Sequence, residues 1–254
     1  MIVYKYARAS IGILILEKGL IRFTQADALN DPFEIRPCMT EFRAGIIEEG
    51  RAVFGREPNE IELAKMRFLE EEQFRKALLD DYLIFCLSKR NNNTLMWSHY
   101  AECHKGIVLG FDANHSFFGG RPQIMSKLFT VTYSEERYLL PKRQDWDGNE
   151  AAMANTFLQK SKDWAYEREM RILSQSTQAD DVRTDPEGAP IYLFKYPKSS
   201  LSEVIFGACT EPTTKEKVSN LLNFDYSHVK LRQAQLNERN FDLDILPFAT
   251  DAEI

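Results

Sequence analysis

The stretch from Tyr82 to Asp112, YLIFCLSKRNNNTLMWSHYAECHKGIVLGFD, constrains the fold of this chain more than any other. Its two apolar runs, Tyr82 to Ser88 and Gly106 to Phe111, are rich in β-branched and aromatic residues and too short for buried helices, so both read as strands. Between them lie a polar break, Lys89 to Asn93, and a short helix, Thr94 to Ala101. Leu95, Met96, Trp97, His99 and Tyr100 crowd apolar, aromatic and polar groups into two turns. A surface helix needs less, which places function in the break and the helix.

The rest of the chain arranges itself around that unit. Ile2 to Tyr6 reads as a strand, Ser10 as the cap of a helix from Ile11 to Lys18 that Gly19 ends, and Leu20 to Thr24 as a second strand. Asp31 before Pro32 is biased away from helix and Asn30 favours a turn, so Phe33 and Glu34 sit at a fixed corner. That corner reads equally as a tight connection whose Phe33 plugs the core and as a polar binding corner holding Asn30, Asp31 and Glu34. From Arg36 to Asp81 the chain becomes a charged helical insertion, with Pro58 in a first turn and Ile61, Ala64 and Phe68 on one stripe. Lys127 to Tyr133 reads as a strand and Asn149 to Lys162 as a helix. Ala179 to Pro190 reads as a hydrophilic loop, and Thr213 to Glu216 has capping-box spacing for a helix to Leu222. Phe241 to Phe248 adds an edge strand. The expectation is a single α+β domain: a bent mixed sheet split into two halves around a cleft, with outer helices and the 36–81 insertion to one side. Irregular alternation and the lack of a glycine-rich turn argue against a doubly wound nucleotide fold.

Composition narrows the function. A chain of 254 residues, 44% hydrophobic, is long enough to bury a substantial core. Its formal charge of −6 gives no general footprint for nucleic acid, although a local basic groove remains open. Cys38, Cys86, Cys103 and Cys209 have neither zinc-knuckle nor redox spacing and read as reduced thiols in a cytoplasmic protein. No apolar run nears the roughly 20 residues that span a bilayer.

The candidate chemistry is acidic. If a strand begins near Tyr166, then Glu167, Glu169, Arg171 and Leu173 share one face, with the carboxylates roughly 7 Å apart. A carboxylate fixed over a ribose can stabilise an oxocarbenium-like transition state. The same alternation also describes a solvated edge face, which spacing alone favours. His99, between Trp97 and Tyr100, reads either as a ligand holder or acid, or as a satisfied, partly buried group. Cys103, His104 and His99 lack a fourth ligand, so zinc is not expected. No hydrolase elbow, Walker loop or dinucleotide fingerprint occurs.

These motifs resemble an uncharacterised, mainly bacterial family. The shared features are an opening Tyr4-Lys5-Tyr6 strand, Asn30-Asp31-Pro32-Phe33-Glu34, Phe85-Cys86-Leu87-Ser88, Met96-Trp97-Ser98-His99-Tyr100-Ala101 and Trp164-x-Tyr166-Glu167-x-Glu169-x-Arg171. More distantly, the chain resembles the ADP-ribosyltransferase superfamily, with Lys5 or Arg8 where those proteins carry a first-strand histidine or arginine. That resemblance implies an ADP-ribosyltransferase-like fold and NAD as substrate. It puts Tyr4, Lys5 and Tyr6 near the nicotinamide ribose, Ser88 at the end of the central strand and Tyr100 as a stacking aromatic. Glu169 would then stabilise the oxocarbenium while Glu167 orients a macromolecular acceptor. A toxin or antiviral-defence effector, with an antitoxin or defence-system partner, is in keeping with it. The competing expectations are a non-catalytic module binding a nucleotide or protein through Trp97, His99, Tyr100 and Arg171, and a magnesium nuclease using Asp31, Glu34, Glu167 and Glu169.

Overall fold

The computed structural model describes residues 1–76, 82–119, 127–145 and 150–248. The opening is β1 (Ile2–Ala7), α1 (Ala9–Lys18) and β2 (Leu20–Gln25). Gly19 closes α1 at φ 64°, a left-handed conformation glycine adopts without a Cβ penalty, and its N–H bonds the Ile15 carbonyl. Ser10 lies inside the helix instead of capping it, because the helix starts at Ala9, two residues before the expected Ile11. The insertion forms α2 (Thr40–Phe54) and α3 (Glu60–Arg75), with Asn59 and Glu62 making a reciprocal capping box. Pro58 therefore precedes the cap. The expected far end of the insertion, 77–81, lies outside the described residues.

The central unit forms as β3 (Tyr82–Ser88), α4 (Thr94–Tyr100) and β4 (Ile107–Asp112). Asn93 starts α4 by accepting the Leu95 and Met96 N–H groups, at 2.9 and 3.1 Å. Next come β5 (Phe129–Thr130) and β6 (Thr132–Ser134), two short strands where one was expected. The helix expected over 149–162 is α5 (Glu150–Leu158), followed by β7 (Gln159–Ser161); residue 149 is outside the described residues. After them lie β8 (Glu169–Gln175), β9 (Asp181–Thr184), β10 (Pro190–Lys195) and β11 (Leu201–Phe206). The chain ends in α6 (Pro212–Asp225), β12 (Lys230–Leu236) and β13 (Leu243–Pro247). β9 occupies part of the expected hydrophilic loop, paired to β10. Pro212 at the first turn starts α6, with no side-chain cap from Thr213.

The protein is α+β, built on a large mixed sheet in the order β13-β12-β11-β4-β1-β3-β2-β10-β9, with β8 on β3 and β5 on β8. The β11–β12 pairing is parallel and β1–β4 antiparallel. β3 is the branch point. It pairs with β8 along its whole length, from Tyr82↔Gln175 to Ser88↔Glu169, but meets β1 only at Tyr4↔Ser88. Strand alternation sends Val3 of β1 to the face covered by α1 and α6, where Leu16, Val218, Leu222 and Phe206 are buried. It sends Tyr6 to the other face, where Trp97 of α4 and Ala101 just after it pack. Among the described residues, no helix is long and apolar enough to cross a membrane.

The turn after α4 depends on Gly106, whose N–H bonds the Ala101 carbonyl at 2.8 Å. A Cβ there would come within 2.2 Å of the Ala7 carbonyl oxygen, so backbone must move. Gly106→Ala is expected to destabilise the fold by about 1–3 kcal/mol, the usual cost of forced overpacking, as read from the urea midpoint at an unchanged m-value.

Candidate functional site

Where β1 and β3 part, a hollow of ≈ 230 Å³ opens. Tyr4, Lys5 and Tyr6 of β1, Cys86 and Ser88 of β3, and Met96 and Tyr100 of α4 line it. Asn30 and Glu34 from the corner, with Lys160, Glu167 and Glu169, complete the wall. The polar break is tied down by neighbours that satisfy its backbone. Tyr6 donates its hydroxyl to the Arg90 carbonyl at 2.9 Å, and buried Trp97 donates its indole N–H to Asn91 at 2.7 Å. The Arg90 N–H in turn bonds the Ser88 hydroxyl.

The acidic pair reaches the hollow by a route other than the expected strand. Lys162–Glu167 is a 3-10 turn, Arg168 is left-handed at φ 47°, and β8 begins only at Glu169. The alternation expected from Tyr166 onward therefore fails for Tyr166 and Glu167. Ser88 fixes the turn by donating to the Glu167 carbonyl at 2.6 Å, and the Asn93 amide bonds the Tyr166 carbonyl. Both carboxylates still meet, now as buried groups only 3% and 4% exposed, which removes the solvated-edge reading.

Lys160 holds them together. Its Nζ lies 2.8 Å from Glu34 Oε1, 2.7 Å from Glu167 Oε2 and 3.4 Å from Glu169 Oε2. Arg171, fully buried, binds Glu169 through Nε at 2.8 Å and Nη2 at 3.0 Å, and also bonds Glu34 and, through Nη1, the Phe157 carbonyl. The Tyr100 hydroxyl donates to Glu167 Oε1 at 2.6 Å and accepts from Asn30 Nδ2 at 3.0 Å. Burial opposes charge on Glu169, but Arg171 and Lys160 outweigh it and hold that carboxyl well below the usual range. Glu167 goes the other way: burial raises it despite Lys160 and the Tyr100 hydrogen bond. Burial, then the Glu167 carboxylate, push the Tyr100 phenol up and keep it a proton donor.

Nine expected residues converge on the hollow: Tyr4, Lys5, Tyr6, Asn30, Glu34, Ser88, Tyr100, Glu167 and Glu169. Four others lie off its lining. Trp97 is core, 5.4 Å from Tyr6 in an edge-on contact. Arg171 is consumed by its ion pairs. Asp31 is buried and turns back to accept the Phe33 N–H at 2.9 Å. His99 is exposed and bonds the Tyr166 hydroxyl through Nδ1 at 3.0 Å. Phe33, a core plug on one of the two readings of its corner, is 63% exposed. For the magnesium expectation, the Lys160 ammonium sits among the carboxylates where a divalent ion would bind. Among the described residues, no group of three or more His, Cys, Asp or Glu could hold a metal ion.

Sequence reasoning missed Lys160. The signal was its place three residues after Phe157 and seven after Met153, on the apolar stripe of the expected helix, where a lysine needs buried partners.

Residues 96–172, from α4 through most of β8, match a family model described as a protein of unknown function, DUF2971. Tyr100, Lys160, Glu167, Glu169 and Arg171 all fall within the matched segment. No curated protein and no solved structure matches the chain significantly.

Removing one partner from a buried ion cluster leaves uncompensated charge, so Lys160→Met is expected to cost about 3–5 kcal/mol in equilibrium denaturation. The two acids should shape pH stability oppositely. Glu169, depressed to about 2 when folded against an ordinary 4.5, contributes stability that is present above pH 4.5 and lost as pH falls towards 2. Glu167, raised when folded, contributes stability that is full below 4.5 and lost as pH climbs through its folded value. Stability–pH curves of Glu169→Gln should lack the acid-side loss, and those of Glu167→Gln the loss on the rising side.

Proposed function

We propose that the hollow binds the nicotinamide–ribose end of NAD, and that the protein is an ADP-ribosyltransferase-like enzyme acting on a macromolecular acceptor. The supporting observation is Glu167: a buried carboxylate in a tyrosine-walled hollow, oriented by Tyr100 and Lys160, with hydrogen-bonding capacity to spare. A carboxylate offers about four lone-pair positions. Glu167 uses one on each oxygen, whereas Glu169 spends three on Arg171 and Lys160. The reading therefore gives Glu167 the ribose hydroxyl and the developing oxocarbenium, and makes Glu169 a positioning group. On this reading the hollow beside the single β1–β3 pairing, at Tyr4↔Ser88, takes the place of the cleft that this class of enzyme uses.

In that reaction the ribosyl C–N bond breaks and nicotinamide leaves with the electron pair, becoming neutral. An acceptor nucleophile then forms the new bond and gives up its proton. Tyr4, Tyr6 and Tyr100 supply aromatic walls for the leaving ring, and fixed negative charge at Glu167 stabilises the cationic centre without solvent reorganisation. A toxin or defence role fits such a transferase.

One observation favours a second reading, a binding module without turnover. Each carboxylate of the floor is already ion-paired, which suits recognition of a nucleotide through Asn30 and the tyrosines alone.

Incubation of the pure protein with labelled NAD and a cell extract separates the two. The enzyme reading expects nicotinamide release and label transfer, reduced about 100-fold or more in Glu167→Gln at unchanged circular dichroism. It also expects activity to fall on the acid side at a higher pH than an ordinary glutamate would give, because Glu167 is raised. Intact NAD accompanied by a raised melting temperature supports the binding module and sinks the transferase.

A further inference from the structure

A second hollow, of ≈ 210 Å³, shares Lys160 with the first but is otherwise lined by different residues, among them Phe33, Arg36, Glu136 and Arg137. We infer that it is a separate ligand site, taking a planar ring that carries an anionic group, as a nucleoside monophosphate does. The inference does not rest on the function proposed for the inner hollow.

The juxtaposition that carries it is an exposed aromatic ring beside the Arg137 guanidinium, in a hollow that Arg36 also lines. Phe33 is 63% exposed although Glu34 and Ile35 beside it are buried. Its position is built in. Pro32 restricts the corner, Asp31 accepts the Phe33 N–H, and Ile35 takes φ 55°, a left-handed conformation that is an outlier for a β-branched residue. Strain of this kind persists only where surrounding structure enforces it, and it clusters at ligand sites. Arg137 lies with its guanidinium 5.9 Å from the Phe33 ring centre. Two of its nitrogens donate to the Arg36 and Pro37 carbonyls, at 2.8 and 3.0 Å, holding it over one face of the ring and leaving the other face for a ligand.

Charge selects the rest of the ligand. The Lys160 ammonium is taken up by its three carboxylates, so it adds no free positive charge here. Glu135 is paired outward with Lys162 at 2.7 Å. Arg36, exposed and with no ion pair among the described residues, joins Arg137 against the single carboxylate of Glu136. Guanidinium groups match phosphate and carboxylate oxygens bidentately, and an aromatic face accepts any base by stacking.

Calorimetric titration of the full chain with AMP, adenosine and inorganic phosphate tests this. AMP is expected to bind more tightly than adenosine or phosphate. Phe33→Ala should weaken AMP about tenfold, in line with one lost base–aromatic stack, and Phe33→Tyr should restore it. Arg36→Ala should weaken AMP while leaving adenosine unchanged, and Glu136→Gln should tighten AMP by removing a repelling charge. Glu167→Gln should bind AMP as the native chain does, even if that variant proves the inner hollow inactive towards NAD. The inference is overturned if AMP gives no binding at millimolar concentration, if phosphate alone binds as well as AMP, or if AMP binding survives Phe33→Ala and disappears in Glu167→Gln.

Discussion

The Lys160 ammonium, enclosed by Glu34, Glu167 and Glu169 and backed by Arg171, is the interaction on which the site's architecture depends. Stripping water from each such ion costs several kcal/mol, and attraction at short range recovers that only when every partner is in place. The cluster therefore fastens the corner after β2 to a distant stretch of chain in which the short strand β7, the 3-10 turn and β8 follow one another. Arg171 extends it by bonding the Phe157 carbonyl at the end of α5. Its planar fork suits this task, since two nitrogens meet both oxygens of Glu169 while the third reaches backbone.

The same fastening divides labour between two acids that the sequence places two residues apart. Glu169 faces a guanidinium and is held firmly ionised, whereas Glu167 has one ammonium, a phenol and more burial than they offset. Environments that push neighbouring carboxyls in opposite directions are a common source of distinct chemical roles. Tyr100 links this difference to the rest of the wall, since its hydroxyl joins Glu167 to Asn30 and its helix is anchored by Trp97. Ser88 acts through the backbone, holding the Glu167 carbonyl so that the turn cannot extend into strand.

The corner Asp31-Pro32-Phe33-Glu34-Ile35 gives two hollows a common wall. Glu34 faces the inner one and Phe33 the outer one, and Lys160 borders both. Successive residues thus serve different surfaces, with Asp31 and the unusual backbone of Ile35 setting the bend.

Local patterning determined the central unit of strand, break, helix and strand, the β-α-β opening, the helical insertion and the α+β class, because apolar period and capping residues act within a few positions of each other. It also marked most of the residues that line the inner hollow, since tyrosines and acids in short, dense motifs have few structural uses. Tertiary structure alone decided that Glu167 lies in a turn and not a strand, because Ser88 and Asn93 reach across 79 and 73 residues of chain to hold that turn. It alone decided that Arg171 and Trp97 are buried supports and that Lys160 is the centre of the floor. The physical reason is that buried charge is settled by long-range partners: whether a lysine on an apolar stripe faces water or three carboxylates depends on where the sheet brings those carboxylates, which no local pattern encodes.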